Sequence, residues 1–380
     1  MTRMTVTLGT ALLLVTSTAY AHHGGGTFDS SRAVTLTGKL TKIDFINPHS
    51  WIYFDVKGAD GKVKPYRCET RSAHTLRRSG WTKEMFKIGE TITIEGSPDR
   101  NDPQSCYLST LVLQNGNRMD RYGQFVKAGS SSAAMARAFT RRPTGEPNIS
   151  GDWAPEQLVM TDPRGRGGAL VPLGTVDKYK PGEGRINFGP TAGPNGVRLY
   201  GGTELTAAGE KAAAAFAMFS PKDNPRMRCE TTSIVFDWTF DGPVNRITQK
   251  KDEIEILYGQ LNLRRVVHMN LTTHPSNGKP TRAGHSIGRW EKDVLVVDTV
   301  KFLPGVLNAP VLNSEQLHVV ERFSLDPKTT ALTRSYVVED PVYLKGKYSG
   351  SDVVNPADAP YVQDNCSELG LLDYSKQTQR

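Results

Sequence analysis

The sequence predicts a mainly β protein: a small OB-like five-stranded barrel, followed by a larger antiparallel β domain with one helix. Three observations carry this prediction. Short β-prone runs of alternating polarity recur along most of the chain, turn residues separate them, and only one segment has the composition of a sizeable helix. A shift to serine, arginine and proline at residues 126–148 divides the chain into two domains as a linker.

The N-terminus has the features of a cleavable secretory signal over residues 1–21. A short basic start precedes the apolar run Val6–Val15, and Ala19–Ala21 gives the small-x-small pattern that signal peptidase recognises. The apolar run is shorter than the ~20 residues that span a bilayer, and no second run of that length follows. We therefore expect a periplasmic or secreted protein without a transmembrane segment in its mature chain.

The first domain is predicted over residues 34–125, after an N-terminal segment at 22–33. Its elements are expected in the order of three strands, a short helix and two strands, which is the order of an OB-type barrel. The strands are predicted at Ala33–Leu40, Trp51–Val56, Val63–Glu69, Lys87–Gly96 and Tyr107–Leu113, and the helix at Ala73–Arg78. A small β-sandwich would use the same strands with a different pairing.

The second domain is predicted over residues 149–380. It opens on Gly151-Asp152-Trp153, a Gly-x-Trp pattern found in the first strand of lipocalin-like barrels. Residues 161–202 are rich in glycine and proline and indicate long loops. The helix is predicted at Leu205–Phe219, with Thr206 as its N-cap and an alanine-rich body.

The rest of the second domain has the pattern of a meander with short polar connections. Eight strands are expected, at Ile234–Phe240, Val244–Gln249, Glu253–Tyr258, Leu263–Met269, Ser286–Glu291, Val294–Val300, Leu317–Leu325 and Ala331–Val338. Eight antiparallel strands could close into a lipocalin-like barrel around a cavity for one small ligand.

The four cysteines fit the same exported compartment, because an even number in an oxidising environment indicates disulfides. They are Cys68, Cys106, Cys229 and Cys366. Three pairings are open, and we favour Cys68 with Cys106 and Cys229 with Cys366, since each bond then lies within one domain. The formal charge of +8 arises from 47 basic and 39 acidic residues that are interspersed. In an exported chain this balance predicts a solvated basic surface and no nucleic-acid partner.

A first candidate site is the new N-terminus. Cleavage after Ala21 leaves His22-His23 at the start of the chain, and a free α-amine beside an imidazole chelates copper. His49, within Asn47-Pro48-His49, is the natural third nitrogen of such a histidine brace. The alternative is a mobile terminal segment whose histidines bind no metal.

A second candidate is Gly284–Gly288, which matches the G-x-S-x-G pattern of serine hydrolases. Ser286 would be the nucleophile, and His285, His318 and Asp298 are its possible partners. The pattern requires a strand before the serine and a helix after it, whereas a loop precedes it here and a hairpin follows. The alternative is that the glycines shape the entry of a strand.

A third candidate lies on the strands of the larger domain. Arg264 and His268 point to one face of their strand, and Arg322 shares a face with His318 on another. Turned inward, these side chains would line a cavity for an anionic or polar ligand. Turned outward, they form an ordinary solvated sheet face.

Two groups of motifs resemble exported bacterial proteins. Val34–Gly38, Asn47–Ile52 and Leu76–Trp81, together with His22-His23, resemble an exported family known only by a domain of unknown function. The stretch Gly284–Thr299 resembles a motif of exported hypothetical proteins from proteobacteria and acidobacteria. These resemblances imply export and a two-part architecture, and they imply no activity.

Three function classes follow from these observations. The first is non-catalytic binding, of a small ligand in the larger domain or of a metal ion, copper for example, at the N-terminus. The second is a periplasmic hydrolase or lyase that uses Ser286, His285 or His318. The third is a cell-envelope interaction module whose small barrel docks a protein partner.

Overall fold

A computed structural model describes residues 28–121, 137–161, 170–180, 183, 191–192, 197–218 and 220–366. The predicted signal at 1–21, His22, His23 and most of the first half of the linker lie outside the described residues. Between Arg137 and Ser150 the chain is irregular, apart from an isolated bridge between Arg141 and Pro147.

The first domain is a closed five-stranded barrel with one short additional strand. Its strands are β1 (Val34–Asp44), β2 (Trp51–Lys57), β3 (Val63–Glu69), β4 (Thr91–Pro98), β5 (Ser105–Val112) and β6 (Arg118–Asp120). The sheet has the order β3-β2-β1-β4-β5-β6, and a parallel pairing of β3 with β5 closes the barrel. This is the OB-like arrangement that the strand order predicted, so the sandwich alternative is not adopted.

The barrel closes around an apolar core because its strands alternate in polarity. Leu40, Ile52, Phe54, Ile94 and Leu108 are all buried in the same cluster. Helix α1 (Ala73–Arg78) lies between β3 and β4 in the sequence and adds its own buried side chains, including Leu76, to this cluster. The helix begins where the Ser72 hydroxyl accepts a hydrogen bond from the Thr75 backbone N–H.

The second domain contains a closed nine-stranded barrel. The strands of this domain are β7 (Gly151–Pro155), β8 (Leu158–Met160), β9 (Leu170–Pro172), β10 (Thr191–Ala192), β11 (Arg198–Leu199), β12 (Asn245–Gln249), β13 (Glu253–Leu257), β14 (Arg264–His268), β15 (His285–Glu291), β16 (Val294–Val300), β17 (Gly305–Asn308), β18 (Val311–Asn313), β19 (His318–Leu325), β20 (Leu332–Glu339) and β21 (Tyr348–Pro356). The barrel order is β12-β13-β14-β15-β16-β19-β20-β21-β7, and the other strands form small two-stranded sheets.

The predicted meander is broken at one place. Strands β14 and β15 pair in parallel, with Val267 opposite Ser286 and His268 opposite Ile287. A tight turn can join only antiparallel neighbours. The long connection over residues 269–284 carries the chain back so that β15 runs in the same direction as β14.

The segment Ile234–Phe240 is not a strand, contrary to the prediction. It forms consecutive turns, with hydrogen bonds from the backbone N–H of Asp237 to Ser233 and of Phe240 to Phe236. Ile234 and Trp238 are fully buried in the larger core. The apolar residues that resembled a strand therefore pack into the core of the larger barrel, and β7 and β21 join the other seven predicted strands to make nine. Strand β21 was missed by the prediction.

Helix α2 (Ala207–Ala215) is shorter than predicted. Its N-cap is Thr206 as expected, since the Thr206 hydroxyl accepts from the Gly209 backbone N–H at 3.1 Å. The helix ends at Phe216, which has extended backbone angles. Short 3-10 helices at Lys83–Met85, Leu173–Lys178 and Pro225–Arg228 complete the helical elements of the described chain.

Both disulfides of the structure have the favoured pairing. Cys68 bonds Cys106 between the parallel strands β3 and β5, where the two residues lie opposite each other. Cys229 bonds Cys366 over a sequence separation of 137 residues. Within the described ranges, we find no helix whose length and hydropathy would allow it to span a membrane.

Candidate functional site

The two barrels meet along helix α1, through the buried side chain of Arg78. Its guanidinium binds both carboxylate oxygens of Asp358, at 2.8 and 3.1 Å. It also donates to the carbonyl oxygens of Gly242 at 3.1 Å and Pro155 at 2.7 Å. Because one planar group satisfies acceptors from three segments of the second domain, it fixes how the two barrels are oriented.

A second contact between the barrels surrounds Asp364. Asn47 donates from Nδ2 to Oδ1 of Asp364 at 2.8 Å, and the Leu261 backbone N–H donates to Oδ2 at 2.6 Å. His74 Nε2 lies 3.5 Å from the same carboxylate. Burial alone would raise the pKa of Asp364, but these polar neighbours lower it below the usual value.

A cavity of about 880 Å³ lies between the barrels, beside strand β21. Its walls come from helix α1, from the segments after β7 and β11, from the turns over residues 235–242, from the β17–β18 connection and from β20 and β21. The lining residues used below are Arg71, Arg78, Phe236, Phe240, Tyr336, Tyr348, Ser349 and Asp352. A cavity of this size falls in the range that holds small molecules.

Two stacked aromatic pairs line this cavity. The rings of Phe236 and Phe240 are 4.3 Å apart between centroids, and those of Tyr336 and Tyr348 are 6.3 Å apart. Burial raises the pKa of Tyr336 to about 12 and also raises the pKa of Tyr348. Both phenols therefore remain neutral at ordinary pH, and the Tyr348 oxygen accepts a hydrogen bond from Asn308 at 2.9 Å.

Four charged residues of the cavity wall are already paired, and the fifth, Glu156, is exposed and accepts a hydrogen bond from the Gly174 backbone N–H at 3.1 Å. Arg71 binds Asp241, Arg78 binds Asp358, and Asp352 lies 2.5 Å from Nη2 of Arg334. Each pair neutralises its own charge within the wall. Apart from the exposed carboxylate of Glu156, the cavity thus offers aromatic side chains and neutral hydrogen-bonding groups.

A second group of polar side chains lies on the outer face of the larger barrel. We call His268, His274, His285, Asp298 and His318 the histidine cluster. The Nδ1 atoms of His274 and His285 are 2.8 Å apart, and His274 Nε2 is 3.0 Å from Asp298 Oδ1. His318 Nε2 is 3.1 Å from the other oxygen of Asp298, and the ring of His268 stacks on His285 with centroids 5.0 Å apart.

Hydrogen bonds, burial and neighbouring side chains shift the pKa values of three groups in the histidine cluster. The hydrogen bond from His318 lowers the pKa of Asp298, and the same bond raises the pKa of His318. Desolvation lowers the pKa of His285, and the neighbouring His268 and His274 lower it further. At neutral pH this arrangement favours an ionised Asp298 and a neutral His285.

Ser286 lies on the opposite side of the sheet from its neighbour His285. Adjacent strand residues point to opposite faces, and Ser286 is buried inside the barrel. Its hydroxyl accepts from Arg265 Nε at 2.9 Å and lies 2.9 Å from the Thr299 hydroxyl. The structure thus brings His285, His318 and Asp298 together but leaves Ser286 outside their group.

The serine belongs to a charged network inside the barrel. Arg265 Nη2 lies 2.5 Å from Glu321, and Arg334 Nη1 lies 3.3 Å from the other oxygen of Glu321. Arg334 also binds Asp352 and donates to the backbone oxygens of the turn at residues 234–235. Burial alone would lower the pKa of Arg334, but Asp352 and Glu321 raise it overall.

The candidate ligand-binding residues Arg264, His268 and Arg322 lie on the outer face of the barrel. Arg264 Nε is 2.6 Å from Glu255, and Arg322 Nη2 is 2.8 Å from Glu291, both exposed pairs. None of the three lines the inter-barrel cavity. Of this set, only His268 joins another candidate residue, through its stacking on His285.

Of the two predicted metal ligands, only His49 is described. It follows a cis peptide bond between Asn47 and Pro48 and forms an ion pair with the buried carboxylate of Glu69. Burial alone would lower the pKa of His49, but Glu69 raises it overall. His22 lies outside the described residues, so the predicted copper brace remains a prediction.

His274 and the residues of the cavity wall were not predicted as site residues from the sequence. His274 lies in the connection between β14 and β15, where no periodicity marks a facing residue. Its only signal is that a third histidine stands between two strands that each carry one. The cavity walls come from segments far apart in the sequence, and no local pattern joins them.

Comparisons with known proteins add one finding. Residues 11–106 match the model of a family of unknown function (DUF6152), which covers most of the first barrel. No curated protein matches the chain. The first barrel therefore resembles an uncharacterised domain, and this resemblance implies no activity.

Proposed function

We propose that this is a non-catalytic binding protein that holds an uncharged, partly aromatic small molecule in the inter-barrel cavity. The observation that carries the proposal is a cavity of about 880 Å³ with two stacked aromatic pairs in its wall. Flat aromatic surfaces favour a ligand with an apolar or aromatic body. Four of the five charged residues in the wall are paired, which disfavours a free ion there, because an ion would have to compete with partners that are already in place.

The neutral polar groups would orient such a ligand. Tyr336 and Tyr348 keep their protons, and Asn308 already donates to the Tyr348 oxygen. A ligand with a hydroxyl or carbonyl group could therefore exchange hydrogen bonds with these side chains without any change of charge. Affinity would come from the aromatic contacts, and orientation from the phenols.

Export to the periplasm or outside the cell is part of the same proposal. Two disulfides support it, because such bonds persist in oxidising compartments. The test is to fractionate the cells and determine the N-terminus of the chain. Export predicts a processed chain that begins at His22, and an unprocessed chain in the cytosolic fraction would contradict it.

The binding proposal is tested with N-phenyl-1-naphthylamine, an uncharged aromatic dye whose fluorescence rises in apolar surroundings. Ser349 is an exposed residue of β21 in the cavity wall, so Ser349→Trp places an indole in the cavity. We expect the variant to bind the dye at least about tenfold more weakly, a loss of ~1.4 kcal/mol.

The matched control is Ser324→Trp, the same change at an exposed position of β19 away from the cavity. It should bind the dye as the unmodified protein does. Equal binding by Ser349→Trp and Ser324→Trp, or no binding by the unmodified protein, would contradict the proposal. If the dye binds as expected, competition between the dye and candidate ligands would identify the class of the natural ligand.

A further inference from the structure

We propose that the disulfide between Cys229 and Cys366 is a redox-sensitive site, which a dithiol reductant opens while the bond between Cys68 and Cys106 stays closed. Opening this site releases the end of a chain segment that contacts both barrels. The two cysteines are not part of the inter-barrel cavity wall, so the site goes beyond the proposed ligand binding.

The two disulfides differ in their access to solvent. Cys68 and Cys106 are both 0 % exposed and lie opposite each other on paired strands of the small barrel. Cys229 and Cys366 are only partly buried, and neither belongs to a strand or a helix. Thiol–disulfide exchange requires contact between the attacking thiolate and a disulfide sulfur. A reductant therefore reaches Cys229 and Cys366 in the folded protein, whereas it reaches the other pair only after the small barrel opens.

The reaction is a pair of exchange steps. One thiolate of the dithiol attacks the sulfur of Cys229 or Cys366, and the other cysteine sulfur leaves as a thiolate and takes up a proton. The second thiol of the reductant then loses its proton, attacks the mixed disulfide and releases the second protein thiol. The dithiol is oxidised by two electrons to its own disulfide, and the protein gains two thiols.

The segment that this bond holds follows directly after β21. We call residues 357–366 the C-terminal strap. The strap contains no helix or strand, and it is anchored by β21 at one end and by the bond from Cys366 to Cys229 at the other. Its position therefore depends mainly on side-chain contacts and on the disulfide.

The contacts near the end of the strap connect the two barrels. The carboxylate of Asp364 accepts from Asn47 Nδ2 of the first domain at 2.8 Å and from the Leu261 backbone N–H of the second domain at 2.6 Å. Asn365 Nδ2 donates to the carbonyl oxygen of Phe45, in the first domain, at 3.0 Å. A freed chain end would carry these contacts without covalent support.

The cross-link limits how far the strap can move when it opens locally. It joins residues with a sequence separation of 137, so the closed bond keeps an opened strap near its own site. Without the bond, the open strap has more conformational freedom, and the open state becomes more populated. Arg78 still binds Asp358 at the start of the strap, so the barrels remain connected while its end is open.

The first experiment treats the oxidised protein with dithiothreitol under native conditions and labels new thiols with iodoacetamide. Mass spectrometry of the peptides measures the labelling of each cysteine. We expect Cys229 and Cys366 to be labelled at least about tenfold faster than Cys68 and Cys106. Equal rates at all the cysteines, or no labelling of Cys229 and Cys366 before the protein unfolds, would overturn the proposal.

The second experiment measures hydrogen exchange at the Leu261 amide, whose N–H donates to Asp364. Reduction should raise its exchange rate at least about tenfold, because this amide is protected only while the strap is closed. The amides of β16, which pairs with a strand on each side, should exchange at an unchanged rate.

The matched variant carries Cys229→Ser and Cys366→Ser, so it lacks this bond without any reductant and keeps the bond of the small barrel. Its Leu261 amide should exchange as fast as in the reduced protein, and dithiothreitol should cause no further increase. The reduced unmodified protein provides the same measurement if the variant does not fold. The proposal fails if Leu261 exchange is unchanged by reduction, or if dithiothreitol accelerates it in the variant to the same extent as in the unmodified protein.

Discussion

The interiors of the two barrels differ in kind, although both are closed β structures. The five-stranded barrel is filled by apolar side chains and by the disulfide between Cys68 and Cys106. The nine-stranded barrel has an apolar cluster as well, but it also encloses Arg265, Glu321 and Arg334, each at most 1 % exposed. A barrel's diameter grows with its strand number, so the wider barrel has space that long side chains can fill.

This difference teaches how each interior is stabilised. A small domain buries a limited apolar area, and a disulfide compensates by restricting the unfolded chain. The large barrel places charges inside, and each buried charge needs a partner, because an unpaired ion in the interior is costly. The stability of the small barrel should therefore depend on its disulfide, and the stability of the large barrel on the pairing of its buried charges.

Removal of the central carboxylate should have the largest effect. In Glu321→Gln, Arg265 and Arg334 lose the negative group that lies between them, at 2.5 and 3.3 Å. We expect the free energy of unfolding to fall by about 4 kcal/mol, the cost of leaving buried charges uncompensated. Denaturant unfolding measures this value. Glu291→Gln, which breaks the exposed pairs with Arg289 and Arg322, is the control and should change stability by less than ~1 kcal/mol.

Equal losses in Glu321→Gln and Glu291→Gln would mean that the interior charges do not act as a balanced network. If only Glu321→Gln lowers the free energy of unfolding strongly, a double variant tests the charge balance directly. Arg265→Met together with Glu321→Gln should then recover part of the stability, because one cation leaves with the anion.

The disulfide of the small barrel should have the next largest effect. The bond closes a loop with a sequence separation of 38 residues. Its removal in the double variant Cys68→Ala, Cys106→Ala should cost about 3 kcal/mol, mainly through the added freedom of the unfolded chain. Denaturant unfolding measures this loss, and Trp81, which is buried in the same core, contributes to the fluorescence signal. An unchanged unfolding transition in the double variant would show that the apolar core stabilises the small barrel without the disulfide.

Much of the two-barrel fold could be predicted from the sequence. Regular alternation identified all five strands of the small barrel, and Arg264 and His268 were placed together on one face of their strand. The prediction failed where tertiary context dominates. The segment Ile234–Phe240 is apolar enough to form a strand, but it forms turns whose apolar side chains pack into the larger core.

Strand β21 was missed because its inward positions include Asp352, whose charge is acceptable there only beside Arg334.

The candidate site was predictable to a similar extent. His285, Asp298 and His318 were chosen as possible partners of Ser286, and they do lie together. The serine separates from them because neighbouring strand residues face opposite sides of the sheet. His274 enters the histidine cluster from a connection, and the cavity forms between barrels. Neither feature leaves a periodic signal in the chain.

The smallest predicted effect concerns Asp237, a buried charge of the larger domain outside the barrel network. Burial raises its pKa to about 6, although Arg226 at 2.7 Å lowers it in part. The unfolded chain has the ordinary pKa of 3.8, so between these values the folded state binds the proton more tightly. The contribution of Asp237 to stability therefore increases as the pH falls from neutral towards 4.

Asp237→Asn removes this titration. Between about pH 7 and pH 5, the unmodified protein should gain ~1 kcal/mol of unfolding free energy relative to the variant, as measured by denaturant unfolding at both pH values. Asp293→Asn is the control, because the hydrogen bond from Arg141 lowers the pKa of Asp293 and keeps its titration below this window. The difference in unfolding free energy between Asp293→Asn and the unmodified protein should be the same at both pH values. If the difference for Asp237→Asn is also the same at both pH values, Arg226 fully compensates the burial of the carboxylate. Ion pairing alone would then account for the buried charges of the larger domain.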